Sequence, residues 1–267
     1  MATEAPQRWS PQQYERFREQ RARPFYDLAA MVERRVEMRV VDLGCGTGQL
    51  TAWLHGELGA ADTLGVDRSE AMLAASADHS SEGVRFERQE IDAFLDEAAA
   101  AGASWDLVCS NAALHWLPDH GALWPRVAAL VPPGGQLAIQ IPANWDHHSH
   151  RIAKEVAREE PFATALNGYV YDSPVQAPEW YADQLYRLGF REPRVELRIY
   201  PHELPDAAAV IEWVRGSLLT DYQSRLDQPT FAAYLERYRA ALLPVLGTAQ
   251  PFFYSFKRVL MWGHRAD

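Results

Sequence analysis

Short apolar runs alternate with helical patterns over the first half of the chain. The runs that predict β-strands lie at 39–43, 62–67, 84–87, 105–110 and 136–141, and the helical patterns between them lie at 48–58, 69–78, 91–101 and 120–131. Two later runs, at 194–200 and 258–264, predict the last two strands. This alternation is typical of a doubly wound, mostly parallel sheet, so we predict an α/β fold with seven strands.

The segment between the last two predicted strands, residues 201–257, is too long for a loop in a compact domain. Its apolar residues recur with helical period in two stretches, and we therefore predict a helical cap inserted between these strands. Residues 143–180 hold several prolines and three histidines, at 147, 148 and 150. We predict that this segment is partly irregular and borders the carboxyl edge of the sheet.

Charge and composition exclude several classes of partner. The 267 residues carry 36 acidic and 26 basic side chains, a formal net charge of -10, which disfavours a polyanionic nucleic-acid partner. No apolar run approaches the ~18 residues of a membrane helix, and the amino terminus has no apolar signal region. We therefore expect a cytoplasmic protein without a membrane partner. Cys45 and Cys109 show no metal-binding or disulfide pattern.

A glycine-rich turn follows the first predicted strand. Asp42 precedes Gly44, Gly46 and Gly48, and glycine at such a turn can adopt positive φ and let a ligand touch the backbone. Asp67 ends the second predicted strand, 19 residues after the last glycine, where a carboxylate can accept hydrogen bonds from a ribose. The two strand ends together predict a nucleotide-sized cleft, although an ordinary strand–turn–helix connection has the same glycines.

The spacing of these glycines discriminates between cofactors. The dinucleotide fingerprint is Gly-x-Gly-x-x-Gly, whereas here the third glycine comes one residue early. The segment Asp-Leu-Gly-Cys-Gly-Thr-Gly, residues 42–48, instead resembles motif I of class I S-adenosylmethionine-dependent methyltransferases. The resemblance implies a Rossmann-like fold and S-adenosyl-L-methionine as cofactor. A nicotinamide oxidoreductase is disfavoured by the missing glycine.

The resemblance also implies which residues bind the cofactor. Glu90 follows the third strand, at the position where the family has an acid that contacts the adenine amino group, and the backbone N–H of the next residue, Ile91, reaches the adenine ring. The alternative for Glu90 is an acid that stabilises the amino terminus of a helix. Asp92 is a second candidate for the adenine contact. Asn111 ends the fourth strand, beside the methionine part of the cofactor. The full set is Asp42, Gly44, Cys45, Gly46, Gly48, Asp67, Arg68, Met72, Glu90, Ile91 and Asn111.

Four further segments narrow the resemblance. They are residues 14–24, Asn111–His120 (Asn-Ala-Ala-Leu-His-Trp-Leu-Pro-Asp-His), Gln140–Trp145, and His202–Pro205 followed by Ile211–Gly216 (Ile-Glu-Trp-Val-Arg-Gly). Together they resemble the trans-aconitate 2-methyltransferase family over nearly the whole chain. The resemblance implies O-methylation of a carboxylate on a small acidic metabolite. The substrate-side candidates are His115, Trp116, Asn144, Trp145, His202 and Arg215. For His115 and Trp116, a surface or loop-packing role is the alternative.

One position departs from that family. Thr220 stands where the family typically has an arginine that could pair a substrate carboxylate, and Asp221 lies beside it. A polycarboxylate needs several charge-assisted donors to offset its desolvation. The remaining candidates for positive charge are Arg23, Arg215, Lys257 and Arg258, each of which could equally be a solvated surface charge.

The resemblance gives a division of the chain and leaves alternative functions open. It implies N-terminal helices over 1–38 that cover the cofactor, a core formed by 39–200 and 258–267, and the cap at 201–257. One alternative is methylation of a malonyl thioester on a carrier protein, which the acidic net charge disfavours. Another is a non-catalytic S-adenosylmethionine-binding regulator, in which the aromatic residues fill the substrate cavity.

Overall fold

A computed structural model describes residues 22–216 and 218–266 and confirms the predicted fold class. Seven strands form one sheet in the order β3-β2-β1-β4-β5-β7-β6. Their bounds are β1 Arg39–Leu43, β2 Asp62–Asp67, β3 Val84–Arg88, β4 Leu107–Asn111, β5 Gln136–Pro142, β6 Phe190–Leu204 and β7 Phe252–Arg265.

Helices alternate with the strands as predicted in the first half, and continue between β5 and β7. Residues 22–29 form α1, and the helices that follow are α2 Gln49–Leu58, α3 Glu70–Ser76, α4 Ile91–Ala101, α5 His120–Ala129, α6 His148–Ala157, α7 Phe162–Ala165, α8 Pro178–Arg187, α9 Ala209–Arg215, α10 Leu218–Arg225 and α11 Gln228–Leu246. Residues 143–180 therefore contain more helix than predicted. None of the described helices combines the length and apolarity needed to cross a membrane.

Parallel pairing brings the functional strand ends to one edge of the sheet. β1 pairs in parallel with β2 and with β4, and its residues Val40, Val41 and Leu43 are fully buried. Such burial is expected of a central parallel strand covered by helices on both faces. β2 pairs in parallel with β3, and β4 with β5. The carboxyl ends of these strands therefore share an edge, where open α/β sheets bind ligands.

The chain divides into two compact units. The first unit comprises the described residues up to Ile141, Gln176–Leu197 and those from Val259 onward; the second comprises Pro142–Val175 and Arg198–Arg258. The second unit takes in residues 201–257, the predicted cap, together with Pro142–Val175. Within this unit α11 is bonded to α6, since the Tyr234 and Tyr238 hydroxyls donate to the carbonyls of Ala153 and Ser149 at 2.8 and 2.9 Å.

The predicted N-terminal helices lie mostly outside the described residues, because the description of the chain begins at residue 22. Within the described part, α1 packs Phe25 and Leu28 into the core of the first unit. The roles predicted for 1–38 and 201–257, as covers over cofactor and substrate, remain predictions.

Candidate active site

The glycine loop and Asp67 are joined by backbone hydrogen bonds in the first unit. The N–H groups of Gly44 and Cys45 donate to the Val66 carbonyl at 2.8 and 3.1 Å, which ties the loop to the end of β2. Gly46 N–H then donates to Asp67 Oδ2 at 2.9 Å, and Ser69 N–H donates to Asp67 Oδ1 at 2.8 Å. Two backbone donors thus fix the half-buried carboxylate and leave lone pairs on both oxygens for a ligand.

The three glycines of the loop serve different purposes, although all have positive φ, at 85°, 56° and 75° for Gly44, Gly46 and Gly48. A β-carbon on Gly44 would lie 2.1 Å from Ala113 Cβ, and one on Gly48 would lie 2.5 Å from Phe86 Cζ. A β-carbon on Gly46 would meet no atom of the described residues within 4 Å. Packing therefore explains Gly44 and Gly48, whereas Gly46 borders open space in which a ligand can reach the backbone.

Asp42 supplies a buried acid beneath the loop. Its Oδ2 accepts a hydrogen bond from Thr51 Oγ1 at 2.6 Å, and its Oδ1 is buried without a hydrogen bond from any described residue. Burial raises the pKa of Asp42 to about 6, and the nearby charge of Asp67 acts in the same direction. A buried carboxylate with one unsatisfied oxygen fits a ligand that carries a positive group, as the predicted cofactor does.

The end of β3 lies next to Asp67, as the adenine assignment requires. Gln89 N–H donates to the Asp67 carbonyl at 3.0 Å, and Glu90 follows with an exposed side chain that makes no capping hydrogen bond to α4. Asp92 is instead held by Arg126 at 2.5 Å. This geometry favours Glu90 over Asp92 for the adenine contact, which remains a prediction.

The other predicted cofactor residues surround the loop at different depths. Ile91 Cδ1 lies 3.9 Å from the β-carbon position of Gly44, so Ile91 borders the loop directly. The Oδ1 atom of Asn111 is buried and receives no hydrogen bond from the described part of the chain. Arg68 is exposed just before α3, and Met72 is exposed in the first turn of that helix. Cys45 is buried, and burial raises the pKa of its thiol, so it is suited to packing.

The loop after β4 is held by a histidine that sequence reasoning left without a role. His120 is buried, and its Nε2–H must donate to the Leu114 carbonyl at 3.1 Å because a carbonyl can only accept. Its Nδ1 then accepts from the Tyr181 hydroxyl at 2.6 Å. Burial lowers the pKa of His120, which keeps this neutral form. No sequence pattern shows this network, because Tyr181 lies 61 residues away.

The network fixes the short 3₁₀ helix Leu114–Trp116, which carries two predicted substrate residues. The rings of His115 and Trp116 lie 4.6 Å apart, with His115 half-buried and Trp116 45% exposed. Exposure of a large aromatic ring argues against a purely packing role for Trp116. Both residues stand directly after Asn111, at the carboxyl edge of the sheet.

In the second unit Asn144 joins the segment after β5 to β7. Its Oδ1 accepts from the Lys257 N–H at 3.0 Å, and its Nδ2 donates to the Tyr254 hydroxyl at 3.2 Å. Asn144 is buried, and these bonds use most of its capacity, which favours a positioning role over direct contact with substrate. Trp145, the next residue, is half-buried.

The other two predicted substrate residues of this unit lie in different environments. His202 is buried, with its ring 4.5 Å from that of Trp213 and 6.5 Å from that of Tyr254. Arg215 is exposed and lies 3.8 Å from Glu212. Thr220, at the position of the family arginine, is also exposed, and its hydroxyl donates to the Arg215 carbonyl at 3.1 Å. The structure therefore groups His202 with the aromatic interior and leaves Arg215 and Thr220 at the surface.

Metal ligands are not clustered in the described part of the chain, where no group of three or more His, Cys, Asp or Glu residues could hold an ion. Cys45 and Cys109 are both free and buried.

Comparison with known proteins adds a family and named relatives. Residues 14–187 match a protein family described as a methyltransferase domain. A protein from Deinococcus radiodurans named trans-aconitate 2-methyltransferase is 40% identical over 265 residues, covering 97% of this chain and 99% of the relative. A protein of the same name from Variovorax paradoxus is 39% identical over 231 residues, covering 86% and 87%.

Solved structures share the fold at low identity. The YcgJ protein from Bacillus subtilis matches with a TM-score of 0.59 and 15% identity, over 92% of this chain and 99% of that one. A phosphoethanolamine N-methyltransferase from Haemonchus contortus, solved with S-adenosyl-L-methionine, matches with a TM-score of 0.52 and 16% identity, over 92% of this chain and 52% of that one. At these identities the likeness shows the fold alone.

Proposed function

Because the chain belongs to the trans-aconitate 2-methyltransferase family of S-adenosylmethionine-dependent methyltransferases, we propose that it methylates a carboxylate oxygen of a small acidic metabolite of the trans-aconitate type. The proposal that S-adenosylmethionine is the cofactor rests on the open space at Gly46, which lies beside the fixed carboxylate of Asp67. The proposal that the substrate is an acid of the trans-aconitate type is supported by the names of the relatives.

The residues around the loop fit S-adenosylmethionine group by group. Asp67 would accept hydrogen bonds from the ribose hydroxyls, and Gly46 would let the ligand approach the backbone. The unsatisfied Oδ1 of Asp42 would face the positive charge of the methionine part. Glu90 would accept from the adenine amino group. These assignments give one acid each to the ribose, to the positive charge of the methionine part and to the adenine amino group.

S-adenosylmethionine, held by Asp67, Gly46 and Asp42, would supply a methyl group that its positively charged sulfur already activates for transfer to a carboxylate oxygen. No proton is transferred, because a carboxylate is already ionised at neutral pH. The protein therefore needs no strong general base, and its task is to orient the acceptor and exclude water. Orientation of this kind can lower a barrier by up to ~7–11 kcal/mol.

In the first unit, we assign the loop after β4 to orienting the acceptor. His115 and Trp116 would border the acceptor, and His120 would hold their turn through the Leu114 carbonyl. If the acceptor were a hydroxyl or an amine, a base would help, and His115 or His202 would be the candidates. We place the reaction in the cytoplasm without a nucleic-acid partner, in keeping with the net charge of -10.

The proposal is tested by methyl transfer from radiolabelled S-adenosylmethionine to a panel of small carboxylates, trans-aconitate included, with extraction and base treatment of the product. We expect a labelled, base-labile ester. A parallel calorimetric titration with S-adenosylhomocysteine and NAD checks the cofactor. Tight S-adenosylhomocysteine binding with no labelled ester from any free acid would contradict the substrate assignment, and labelling of a malonyl carrier protein alone would point to the carrier-protein alternative.

A further inference from the structure

Tyr181, on α8, is hydrogen-bonded to the histidine that holds the loop after β4. Its side chain is fully buried in the first unit, where its ring packs against those of Trp124 and Trp180 at 4.9 and 5.1 Å. The hydroxyl oxygen accepts a hydrogen bond from the Gln176 N–H at 2.9 Å. The hydroxyl proton is directed to the Nδ1 atom of His120, which lies 2.6 Å from the same oxygen.

His120 can hold the turn Leu114–Trp116 in only one of its two neutral forms. With the proton on Nε2, the ring donates to the Leu114 carbonyl at 3.1 Å and accepts from the Tyr181 hydroxyl at Nδ1. With the proton on Nδ1, the Nε2 lone pair would face the lone pairs of that carbonyl, and the hydrogen bond would be lost. The Tyr181 hydroxyl favours the first form, because its proton has an acceptor only when Nδ1 is unprotonated.

The three hydrogen bonds run in one direction, from the Gln176 N–H through Tyr181 and His120 to the Leu114 carbonyl. Each donor in such a chain polarises the next, so the bonds strengthen one another. Burial lowers the pKa of His120, because it disfavours the charged imidazolium, and the ring therefore stays neutral. The chain ends on the first residue of the turn that carries both substrate-side candidates of this unit.

We propose that Tyr181 is a positioning residue for methyl transfer: it selects the form of His120 that donates to the Leu114 carbonyl, and thereby sets the orientation of the turn beside the acceptor. The inference rests on the proposed function, in which that turn borders the substrate. It adds a role for α8, a helix that holds none of the residues assigned to cofactor or substrate. The hydroxyl moves no proton to or from the reactants, and its effect comes from orientation alone.

The test compares Tyr181→Phe with the wild type in the methyl-transfer assay on the acceptor acid. The substitution keeps the aromatic ring and removes only the hydroxyl, so nothing then favours the Nε2-protonated form of His120. We expect kcat to fall ~10-fold, less than the ~100-fold that a misplacement of ~1 Å can cost, with a smaller change in KM. S-adenosylhomocysteine affinity should change less than about twofold, because none of the three hydrogen bonds involves the glycine loop or Asp67.

Tyr186→Phe is the matched control, because Tyr186 lies on the same helix but is 74% exposed. It should keep the wild-type kcat and KM. A double variant then asks whether Tyr181 acts through His120. In a His120→Gln background, Tyr181→Phe should lower kcat less than ~3-fold, because the side chain through which the hydroxyl acts has already been changed. Equal factors in the two backgrounds would assign Tyr181 a packing role and overturn the proposal.

The ring nitrogens of His120 give a readout that a change in packing alone would not move. Nitrogen NMR of isotope-labelled protein at neutral pH should show the proton on Nε2 in the wild type. In Tyr181→Phe we expect the Nδ1-protonated form to appear as well. A wild-type ring protonated on Nδ1, or on both nitrogens, would overturn the proposal even if Tyr181→Phe failed to fold.

The outcomes separate this inference from the proposed function. Wild-type activity on acids, with an unchanged kcat in folded Tyr181→Phe, would overturn the positioning role alone. Wild-type protein that binds S-adenosylhomocysteine but methylates no small acid would overturn the proposed function, and this inference with it. A fall in kcat in Tyr181→Phe but not in Tyr186→Phe, together with a change in the protonated nitrogen of His120, would support both.

Discussion

The two units use their polar groups in opposite ways. In the first unit the glycine loop and Asp67 are held by backbone hydrogen bonds, and the space beside Gly46 is open. In the second unit the polar groups of Asn144 and Tyr254 bond to each other inside an aromatic interior. The first arrangement comes from a few residues close together in the sequence, whereas the second depends on contacts between distant segments.

This difference explains why the cofactor is identified more directly than the substrate. A turn with fixed glycine spacing has the same geometry wherever it follows a parallel strand, so its ligand can be inferred locally. The aromatic region formed by α9, β6 and β7 depends on contacts between distant segments, so no ligand for it can be inferred from a short sequence motif. Function on a shared fold is therefore decided mainly by the second kind of region.

The contrast between the two units would not hold if the cofactor site did not depend on Asp67. We expect Asp67→Ala to weaken S-adenosylhomocysteine binding by ~100-fold or more, about 3 kcal/mol, because it removes the acceptor that both orders Gly46 and binds the ribose. Calorimetric titration measures this. Asp62→Ala is the control, since Asp62 starts the same strand and pairs with Arg85. Equal affinity in the wild type and Asp67→Ala would remove Asp67 from the site.

We also expect buried groups in the two units to change the stability of the protein in opposite directions as the pH falls. Burial lowers the pKa of His150 to about 3, so below pH ~6.5 the unfolded chain binds a proton there that the native protein does not, and stability falls with pH. Burial raises the pKa of Asp42 to about 6, so there the native protein binds the proton first and stability rises as pH falls towards 4. From pH 7 to pH 5 the first effect removes about 2 kcal/mol and the second adds about 1 kcal/mol.

Urea unfolding of variants at pH 7 and pH 5 separates these opposite effects. His150→Gln should lose less stability on acidification than the wild type, and Asp42→Asn should lose more. His148→Gln is the control, because His148 is an exposed neighbour on the same helix. If His150→Gln and His148→Gln show the same pH dependence as the wild type, His150 does not titrate in the way its burial implies.

The smallest effect that we predict is on ligand affinity in a glycine variant, and it separates the loss of a ligand contact from the cost of backbone strain. Gly46 and Gly59 both have positive φ, 56° and 62°, and both border open space. Alanine at either position should cost the same stability, ~1–2 kcal/mol. Only Gly46→Ala should also weaken S-adenosylhomocysteine binding, by about tenfold, because the added methyl group occupies space needed by the ligand. Equal affinity in the two variants would mean that no ligand approaches Gly46.

Most of the first unit could be predicted from the sequence. The strands β1, β2, β3 and β5 and the helices α2 and α4 begin and end within a residue of their predicted bounds. These elements have short apolar runs or helical periods that end at glycine, a capping residue or a turn, so their limits are set locally. The predicted run 194–200 is the middle of β6, whose ends at Phe190 and Leu204 are flanked by polar residues and proline that carry little strand signal. The run 258–264 is the carboxyl-terminal half of β7, which begins six residues earlier, at Phe252.

The contacts that shape the substrate region could not be predicted. Nothing near Asn144 in the sequence shows that Lys257 and Tyr254, more than 100 residues later, use its amide. The helix α8 has a local signal, a proline at its first position, which favours a helix start inside the segment 143–180 that was predicted to be partly irregular. Arg258 was one of four equivalent cations in the sequence, and only the fold shows that it is buried.

The hydrogen bond between His120 and Tyr181 gives this protein an internal spectroscopic reporter. The Tyr181 hydroxyl oxygen lies 2.6 Å from the buried imidazole nitrogen, so we expect the proton between them to exchange slowly with water and to resonate far downfield of ordinary side-chain protons. Its partner on the other nitrogen is the carbonyl of the turn that carries His115 and Trp116. A single proton signal, without any label, would therefore record each movement of that turn as ligands bind and leave.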